Sequence, residues 1–189
     1  VFHSRMAEEA GLFALSDVIA AISDKMERRH PHVFGTAADG GHHLWEQIKA
    51  EERGNKGATG ALDGVATGLP ALSRAEKLQK RAARTGFDWP DPDGARAKIE
   101  EEMAEVESAA NDTERMEEVG DLLFAVVNWA RKLGVDPETA LRGANAKFER
   151  RFRTMEATVG PARFAELDLE AQEALWIAAK GAEKEMAEK

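Results

Sequence analysis

The chain has 189 residues, of which 32% are charged and 6% aromatic, and its formal net charge is −9. That length can bury a hydrophobic core in one or two domains. The lack of cysteine excludes disulfides, thiolate metal sites and cysteine nucleophiles, and it predicts a reducing compartment such as the cytoplasm. The acidic balance argues against nucleic acid as a partner. The longest apolar run, residues 122–127, is too short for a membrane span, and no signal peptide is recognisable.

The repeated stretches come first in chain order. Three short stretches recur in the same order: VFHSR (1–5) as VNWAR (127–131), KMERR (25–29) as KFERR (147–151), and LWEQIK (44–49) as LWIAAK (175–180). Ordered self-similarity indicates duplication of one supersecondary unit. We therefore predict a truncated first repeat without its acidic motif at residues 1–53, a linker with one helix at 54–97, and a complete catalytic repeat at 98–189. Residue 1 is Val, so the sequence leaves open whether this is the native start.

The linker region contains one predicted helix between two connectors. Residues 54–72 are rich in Gly, Ala and Thr and predict a loop. Ser73 and Glu76 form a capping-box pattern, which predicts that a helix starts at Ser73. The following stretch FDWPDPDG predicts a second connector that Phe87 and Trp89 anchor by packing.

Helical patterns continue to the end of the chain. Asp136, which precedes Pro137, and Asp168 have the pattern of an N-cap before a helical stretch, and Asn111-Asp112-Thr113 is typical of a tight break between two helices. Alternating apolar runs are absent, so no strand is predicted. The sequence therefore predicts an all-α helical bundle.

The negative charge is concentrated between Glu100 and Asp121. This stretch holds ten acidic residues and one basic residue, Arg115, so it carries a net charge of −9 and the rest of the chain is neutral. On the first helix of this stretch, helical spacing predicts a buried apolar stripe with an acidic band beside it. The stripe consists of Ile99, Met103, Val106 and Ala110. The acidic band consists of Glu101, Glu102 and Glu105. The second helix has a wide apolar face and a narrow polar strip. The apolar face consists of Met116, Val119, Leu123, Val126, Val127 and Ala130. The polar strip consists of Glu114, Glu117, Glu118, Asp121 and Asn128.

Two antiparallel helices joined by a short break bring these acidic strips together. Carboxylates at close range repel one another, and a divalent cation removes that repulsion. Oxygen ligands without His or Cys indicate Mg²⁺, Mn²⁺ or Ca²⁺. The alternative is a solvated acidic face that binds nothing.

Other residues carry weaker signals. Lys147 and Arg151 share one helix face beside apolar residues and could bind phosphate, or they could pair with Glu149 or Glu156. Trp176 could stack on a base or belong to the core. The five histidines, His3, His30, His32, His42 and His43, offer a weak alternative of a zinc site.

The acidic motif resembles that of a known family. EEMAE (101–105) followed by EVGD (118–121) is similar to the paired motif EExxE…ExxD of MazG-like nucleoside triphosphate pyrophosphohydrolases. The resemblance extends through DLLFAVVNWAR, NAKFERRF and LWIAAK, and back to RRHPHVFG and WEQIKAEER. It implies an all-α, dimer-forming fold and Mg²⁺-dependent hydrolysis of a nucleoside triphosphate to a monophosphate and pyrophosphate, with a metal-activated water attacking the α-phosphate.

The resemblance also implies roles for individual residues. Glu102, Glu105, Glu118 and Asp121 correspond to metal ligands, and Glu101 is a lesser candidate as ligand or base. The implied substrate-binding residues are Lys147 and Arg151 for phosphate and Trp176 with Lys180 for the nucleotide pocket, and we add Lys98 and Asn128 to this set. Mn²⁺ is a possible substitute for Mg²⁺. The alternatives are a relative specific for a narrower nucleotide, such as dUTP or phosphoribosyl-ATP, and a non-catalytic helical module that binds a partner.

Overall fold

The computed structural model describes residues 1–35, 48 and 60–187, and the regular elements in these residues are all helices. They are α1 (Phe2–Glu9), α2 (Leu15–Arg29), α3 (Pro31–Phe34), α4 (Ala71–Ala83), α5 (Pro92–Ser108), α6 (Asp112–Lys132), α7 (Pro137–Val159), α8 (Pro161–Ala165) and α9 (Leu169–Ala187). The prediction of an all-α protein is confirmed. Among the described residues, no helix is long and apolar enough to cross a membrane. The chain divides into two compact units, Val1–Gly64 and Val65–Lys189.

The first unit contains α1, α2 and the short α3. Gly11 has a φ of +68° directly after α1, a conformation that favours glycine because it has no Cβ. At the start of α2, the Asp17 carboxylate accepts a hydrogen bond of 2.8 Å from the Ala14 N–H. The unit leaves large apolar side chains exposed, among them Phe2 at 74% and Ile19 at 55%.

The second unit repeats this local pattern. Gly134 follows α6 with a φ of +73°, and the Asp136 carboxylate then caps α7 by accepting from the Thr139 N–H at 2.7 Å. A helix, a glycine of positive φ and a second helix therefore occur in both units, at the places where the sequence repeats. The division into a truncated repeat, a linker and a catalytic repeat stays a prediction.

The second unit is built on the hairpin of α5 and α6, whose helices run antiparallel and pack along most of their length. Helix α4 packs on α6 and α7, and α9 packs on α7. Asp168 caps α9 as predicted, since it accepts from the Ala171 N–H, and Asn111, in the predicted break between two helices, caps α6 by accepting from the Thr113 and Glu114 N–H groups. A small core joins Met155, Phe164 and Ala179, with Phe152, Val159, Leu167, Leu175 and Trp176 packed against it.

Two local predictions in the linker region are wrong. Helix α4 begins at Ala71, not at Ser73, because the carbonyl of Pro70 accepts the first helical hydrogen bond from the Arg74 N–H at 2.9 Å. Phe87 is 82% exposed and anchors nothing. Trp89 does pack, against Gly94, where an added Cβ would lie 2.7 Å from the indole ring. Helix α5 begins at Pro92, within the residues 54–97 that were predicted as a linker with one helix.

The predicted buried faces of the hairpin need correction as well. On α5 the buried residues are Ala95 and Glu102, whereas Met103 is 50% exposed and Ala110 is exposed too. On α6 the buried residues are Ala125 and Val127, whereas the rest of the predicted apolar face is largely open to solvent. The polar strip of α6 lies toward α5 at Glu118 and Asp121, since each offers a carboxylate oxygen within 4.8 Å of an oxygen of Glu102.

Candidate functional site

Three carboxylates meet where α5 packs on α6. Glu102 lies on the buried face of α5 and is 4% exposed, whereas Glu118 is half-buried and Asp121 exposed on α6. One carboxylate oxygen from each of the three lies within 4.8 Å of the others. The three-residue turn holds this register, because Asn111 caps α6 and the Glu114 carboxylate accepts from the Ala110 N–H at 2.6 Å. The turn thus sets which acids of the two helices face each other.

Glu102 has one satisfied and one unsatisfied oxygen. Its Oε1 accepts from the Lys98 Nζ at 2.7 Å, one helical turn earlier. Its Oε2 is buried and has no hydrogen-bond partner among the described residues. A buried, unpaired carboxylate oxygen is costly. A cation bound between Glu102, Glu118 and Asp121 would satisfy this oxygen, so the donor set fits a divalent metal ion.

The carboxylates perturb one another. Desolvation raises the pKa of Glu105, and the neighbouring Glu102 carboxylate raises it further. Desolvation also raises the pKa of Glu118, followed by repulsion from Glu102 and Asp121. The hydrogen bonds of Lys98 to Glu101 and Glu102 hold its pKa above the usual lysine range. A site that raises carboxylate pKa values in this way favours a bound cation.

Two other predicted residues of this helix have defined partners. Glu101 is exposed and its Oε1 accepts from the Lys98 Nζ at 2.9 Å. Lys98, predicted to bind substrate, therefore bridges Glu101 and Glu102. Glu105 lies outside the group of three oxygens within 4.8 Å, although it interacts with Glu102. Within the described residues, that group is the one cluster of His, Cys, Asp or Glu with metal-ligand spacing.

The predicted phosphate and nucleotide residues gather on α7 and α9. The Arg151 Nε donates to the Glu183 Oε2 at 2.7 Å, and its guanidinium lies 5.4 Å from the centre of the Trp176 ring. Arg151 thus pairs with neither of the glutamates considered from the sequence. Trp176 packs against the small core and contacts Phe148, with ring centroids 5.5 Å apart.

Lys147 and Lys180, the other two residues of this set, are exposed. No hydrogen bond, ion pair or ring contact joins this set to the carboxylates of the hairpin within the residues that the structure describes. Of the histidines considered as zinc ligands, His30 and His32 have ring centroids 5.7 Å apart, and His42 and His43 lie outside the described residues.

Sequence reasoning missed the partners of Asn128. The Asn128 Oδ1 accepts from the Arg131 Nε at 3.1 Å and from its Nη2 at 2.7 Å. Arg131 also pairs with Asp88 in the connector before α5, and Arg131 lowers the pKa of Asp88 chiefly through this hydrogen bond. The spacing of three residues on one helix could have suggested the first contact. Asp88 lies 43 residues away and carries no local signal.

An all-helical hairpin that presents a buried, half-satisfied carboxylate to two further acids defines a candidate metal-binding site of the carboxylate class. Comparison with known proteins gives the family. Residues 1–34 match the model of the MazG nucleotide pyrophosphohydrolase domain, and residues 79–148 match the model of phosphoribosyl-ATP pyrophosphohydrolase.

Two relatives cover most of the chain. It is 50% identical over 188 residues to the nucleoside triphosphate pyrophosphohydrolase of Escherichia coli (strain K12), an alignment that covers 93% of this chain and 71% of that protein. It is 44% identical over 186 residues to the nucleoside triphosphate pyrophosphohydrolase/pyrophosphatase MazG of Thermotoga maritima, and this alignment covers 97% of this chain and 72% of that protein. The chain belongs to the MazG family of nucleoside triphosphate pyrophosphohydrolases, as the resemblance of its acidic motif predicted.

Proposed function

We propose that this protein hydrolyses nucleoside triphosphates to nucleoside monophosphates and pyrophosphate at the α5–α6 hairpin. The observation that carries the proposal is the buried Glu102, which has an unpaired Oε2 and offers one carboxylate oxygen within 4.8 Å of oxygens of Glu118 and Asp121. Family membership supports the reaction, and the hairpin supports its place in the molecule.

Mg²⁺ is the proposed cofactor, with Mn²⁺ as a possible substitute. Glu102, Glu118 and Asp121 would hold it, and Glu105 would complete the set. The chemistry that the ion supplies when bound is a lowered pKa of water and neutralised phosphate charge. The donor set is all oxygen, which suits these ions.

The protein residues then have separate tasks. Attack on the α-phosphorus makes pyrophosphate the leaving group, and a carboxylate must take the proton of the attacking water. Glu101 is the candidate for this proton acceptor. Lys147 and Arg151 are proposed to bind phosphate oxygens. Arg151 would exchange its contact with Glu183 for the phosphate.

The nucleotide itself would be held by further residues. Trp176, Lys180, Lys98 and Asn128 are proposed to bind the substrate. A narrower preference is a second candidate, because residues 79–148 match the phosphoribosyl-ATP pyrophosphohydrolase model. A panel that includes the common ribo- and deoxyribonucleoside triphosphates, dUTP and phosphoribosyl-ATP separates the two.

Two further proposals concern the protein's state in the cell. A homodimer is supported by the exposed apolar face of α6, on which Met116 is 77% and Leu123 54% exposed. A cytoplasmic location remains a prediction from the cysteine-free sequence.

The test of the function is release of pyrophosphate from this panel at millimolar Mg²⁺, with Glu102→Gln as the decisive variant. The substitution removes a charge from the buried ligand, so we expect turnover to fall by roughly 100-fold or more, since even groups that merely support metal ligands contribute about 10- to 100-fold. The matched control is Glu100→Gln on the same helix, because Glu100 is exposed and pairs with Arg96 at 3.3 Å. The control should keep wild-type turnover.

Mn²⁺ titration supplies a second measurement that is independent of turnover. Glu102→Gln should weaken Mn²⁺ binding, and Glu100→Gln should not. Full activity in Glu102→Gln would exclude this site. Metal binding by the wild type with no product from any nucleotide would favour the non-catalytic partner-binding module.

A further inference from the structure

A chain of polar contacts runs from the connector before α5 to Asn128 on α6. Asp88 accepts from two nitrogens of Arg131, one of them at 3.2 Å, and from the Lys132 Nζ at 3.3 Å. The side chains of Arg131 and Lys132 are 11% and 14% exposed, and that of Asp88 is 21% exposed. These three charged groups are therefore held in a largely buried network, in which Arg131 alone reaches Asn128.

The contact with Arg131 fixes the orientation of the Asn128 carboxamide. A guanidinium has donors and no acceptor, so the group that faces it must be the carboxamide oxygen. Both contacts of Arg131 are made to this Oδ1. The Asn128 Nδ2 then points away from Arg131, and it has no hydrogen-bond partner within the described residues. Asn128 thus presents a pair of free N–H donors.

Asn128 also lies on the carboxylate side of α6. It follows Asp121 by seven residues, or two helical turns, so the two side chains share one face about 10 Å apart along the axis. In a nucleoside triphosphate the sugar and base extend from the α-phosphate. A nucleotide held at the carboxylates can therefore extend along this face toward Asn128.

We propose that Arg131, anchored by Asp88, is a positioning residue that orients Asn128 to donate a hydrogen bond to an acceptor oxygen of the bound nucleotide. This inference rests on the proposed function. It assigns Arg131 no contact with the substrate, since its donors are engaged by Asp88 and Asn128. Asn128 in turn contributes to substrate affinity and not to the chemical step.

The neighbouring Lys132 provides a matched control. It contacts the same carboxylate, Asp88, and also the Trp89 carbonyl, but it does not contact Asn128. Lys132→Met therefore weakens the same anchor without freeing the carboxamide. If the network is merely structural, Arg131→Met and Lys132→Met should change KM equally. If Arg131 positions Asn128, Arg131→Met should raise KM and Lys132→Met should not.

The experiment measures kcat and KM of the full chain with Mg²⁺ and its best nucleoside triphosphate. We expect Arg131→Met and Asn128→Ala each to raise KM by about 3- to 10-fold, the worth of one hydrogen bond, with kcat nearly unchanged. Because Arg131 acts through Asn128, the double variant should be no worse than the more affected single variant. Lys132→Met should leave KM unchanged, and Arg131→Lys should recover part of the loss.

Each opposite result overturns the inference. If Lys132→Met raises KM as much as Arg131→Met does, the network has only a structural role. If the rises in KM of the two single variants multiply in the double variant, Arg131 acts independently of Asn128. If Asn128→Ala leaves KM unchanged, Asn128 does not donate a hydrogen bond to the nucleotide. If Arg131→Met fails to fold, the same comparison is made with Arg131→Lys, alone and combined with Asn128→Ala. A wild type without turnover contradicts the proposed function instead, and is distinguishable on that ground.

Discussion

At the residue scale, Glu102 differs from the other glutamates of its helix because it is buried. It remains acceptable there because Lys98 satisfies one oxygen, and because three oxygens converge where a cation fits. Glu100 has the same side chain two residues earlier, but it lies on the exposed side and pairs with Arg96. The density of glutamates therefore says less about the site than the position of this one residue on the helix face.

The raised pKa values predict how the metal-free protein responds to pH. Desolvation and repulsion raise the pKa of Glu118 above its ordinary value of 4.5 in the folded state. The folded state thus binds its proton more tightly than the unfolded state, and stability is lost as the pH rises through the folded pKa. The penalty is absent well below the ordinary value and complete above the raised pKa.

Glu118→Gln removes this penalty. We expect it to raise the Tm of the metal-free protein at pH 7.5 and to change it little at pH 4.5, measured by thermal unfolding at both pH values. Mg²⁺ should then stabilise the wild type more than the variant at pH 7.5. An equal change of Tm at both pH values would show that ionisation of Glu118 does not matter for stability. Glu107→Gln is the control, because Glu107 is an exposed glutamate of α5 that is not among the groups raising the pKa of Glu118.

At the element scale, α4 is tied to the hairpin by a buried amide. Gln79 is 6% exposed, and its Nε2 donates to the Phe124 carbonyl oxygen on α6 at 2.8 Å. Its Oε1 is buried and has no hydrogen-bond partner within the described residues. The residue therefore stabilises the packing of α4 through one hydrogen bond and its buried volume, and carries the cost of one unsatisfied oxygen.

Two substitutions separate these contributions. Gln79→Ala loses the hydrogen bond and leaves a cavity, so we expect the free energy of unfolding to fall by about 1–3 kcal/mol. Gln79→Leu fills the space and removes the unsatisfied oxygen, so it should cost less. Urea unfolding measures both, with the exposed Lys77→Ala as control. Both variants lose the hydrogen bond, so a larger loss in Gln79→Leu than in Gln79→Ala would mean that leucine does not fit the space that Gln79 occupies.

At the scale of the whole molecule, the exposed apolar face of α6 is the feature that a second chain would cover. A helix of a folded protein buries its apolar stripe. Here Met116, Val119, Leu123 and Val126 remain 40–77% exposed, while the polar strip of the same helix faces α5. This inversion supports the proposed homodimer, and it explains why a helix of the site has so much apolar surface.

Leu123→Asp tests that interface. A charge in the middle of an apolar interface cannot be solvated there, so we expect the variant to sediment as a monomer where the wild type sediments as a dimer. The control Thr113→Asp places the same charge in the first turn of α6, where the helix dipole favours it. If the wild type and Leu123→Asp sediment with the same mass, the proposed homodimer through this face of α6 is contradicted.

Much of the fold followed from local signals. Asp136 and Asp168 cap helices as predicted, because a cap needs just the next two or three N–H groups. The predicted helix start at Ser73 was wrong because the carbonyl of Pro70 already accepts the first helical hydrogen bond. The predicted packing of Phe87 was wrong because nothing in the described residues covers its side chain. The two acidic strips do meet, since a three-residue turn leaves antiparallel helices few other arrangements. The roles of the individual site residues stay predictions.

The sequence by itself determined the helices, the hairpin and the family, because caps, periodicity and a paired acidic motif act over a few residues. The tertiary structure alone decided that Glu102 is buried with one oxygen unpaired, that α6 turns its apolar face outward, and that Arg131 connects Asp88 to Asn128. These features depend on how separate helices pack and on contacts between residues 43 positions apart. Helical periodicity describes one helix at a time, so it cannot supply them.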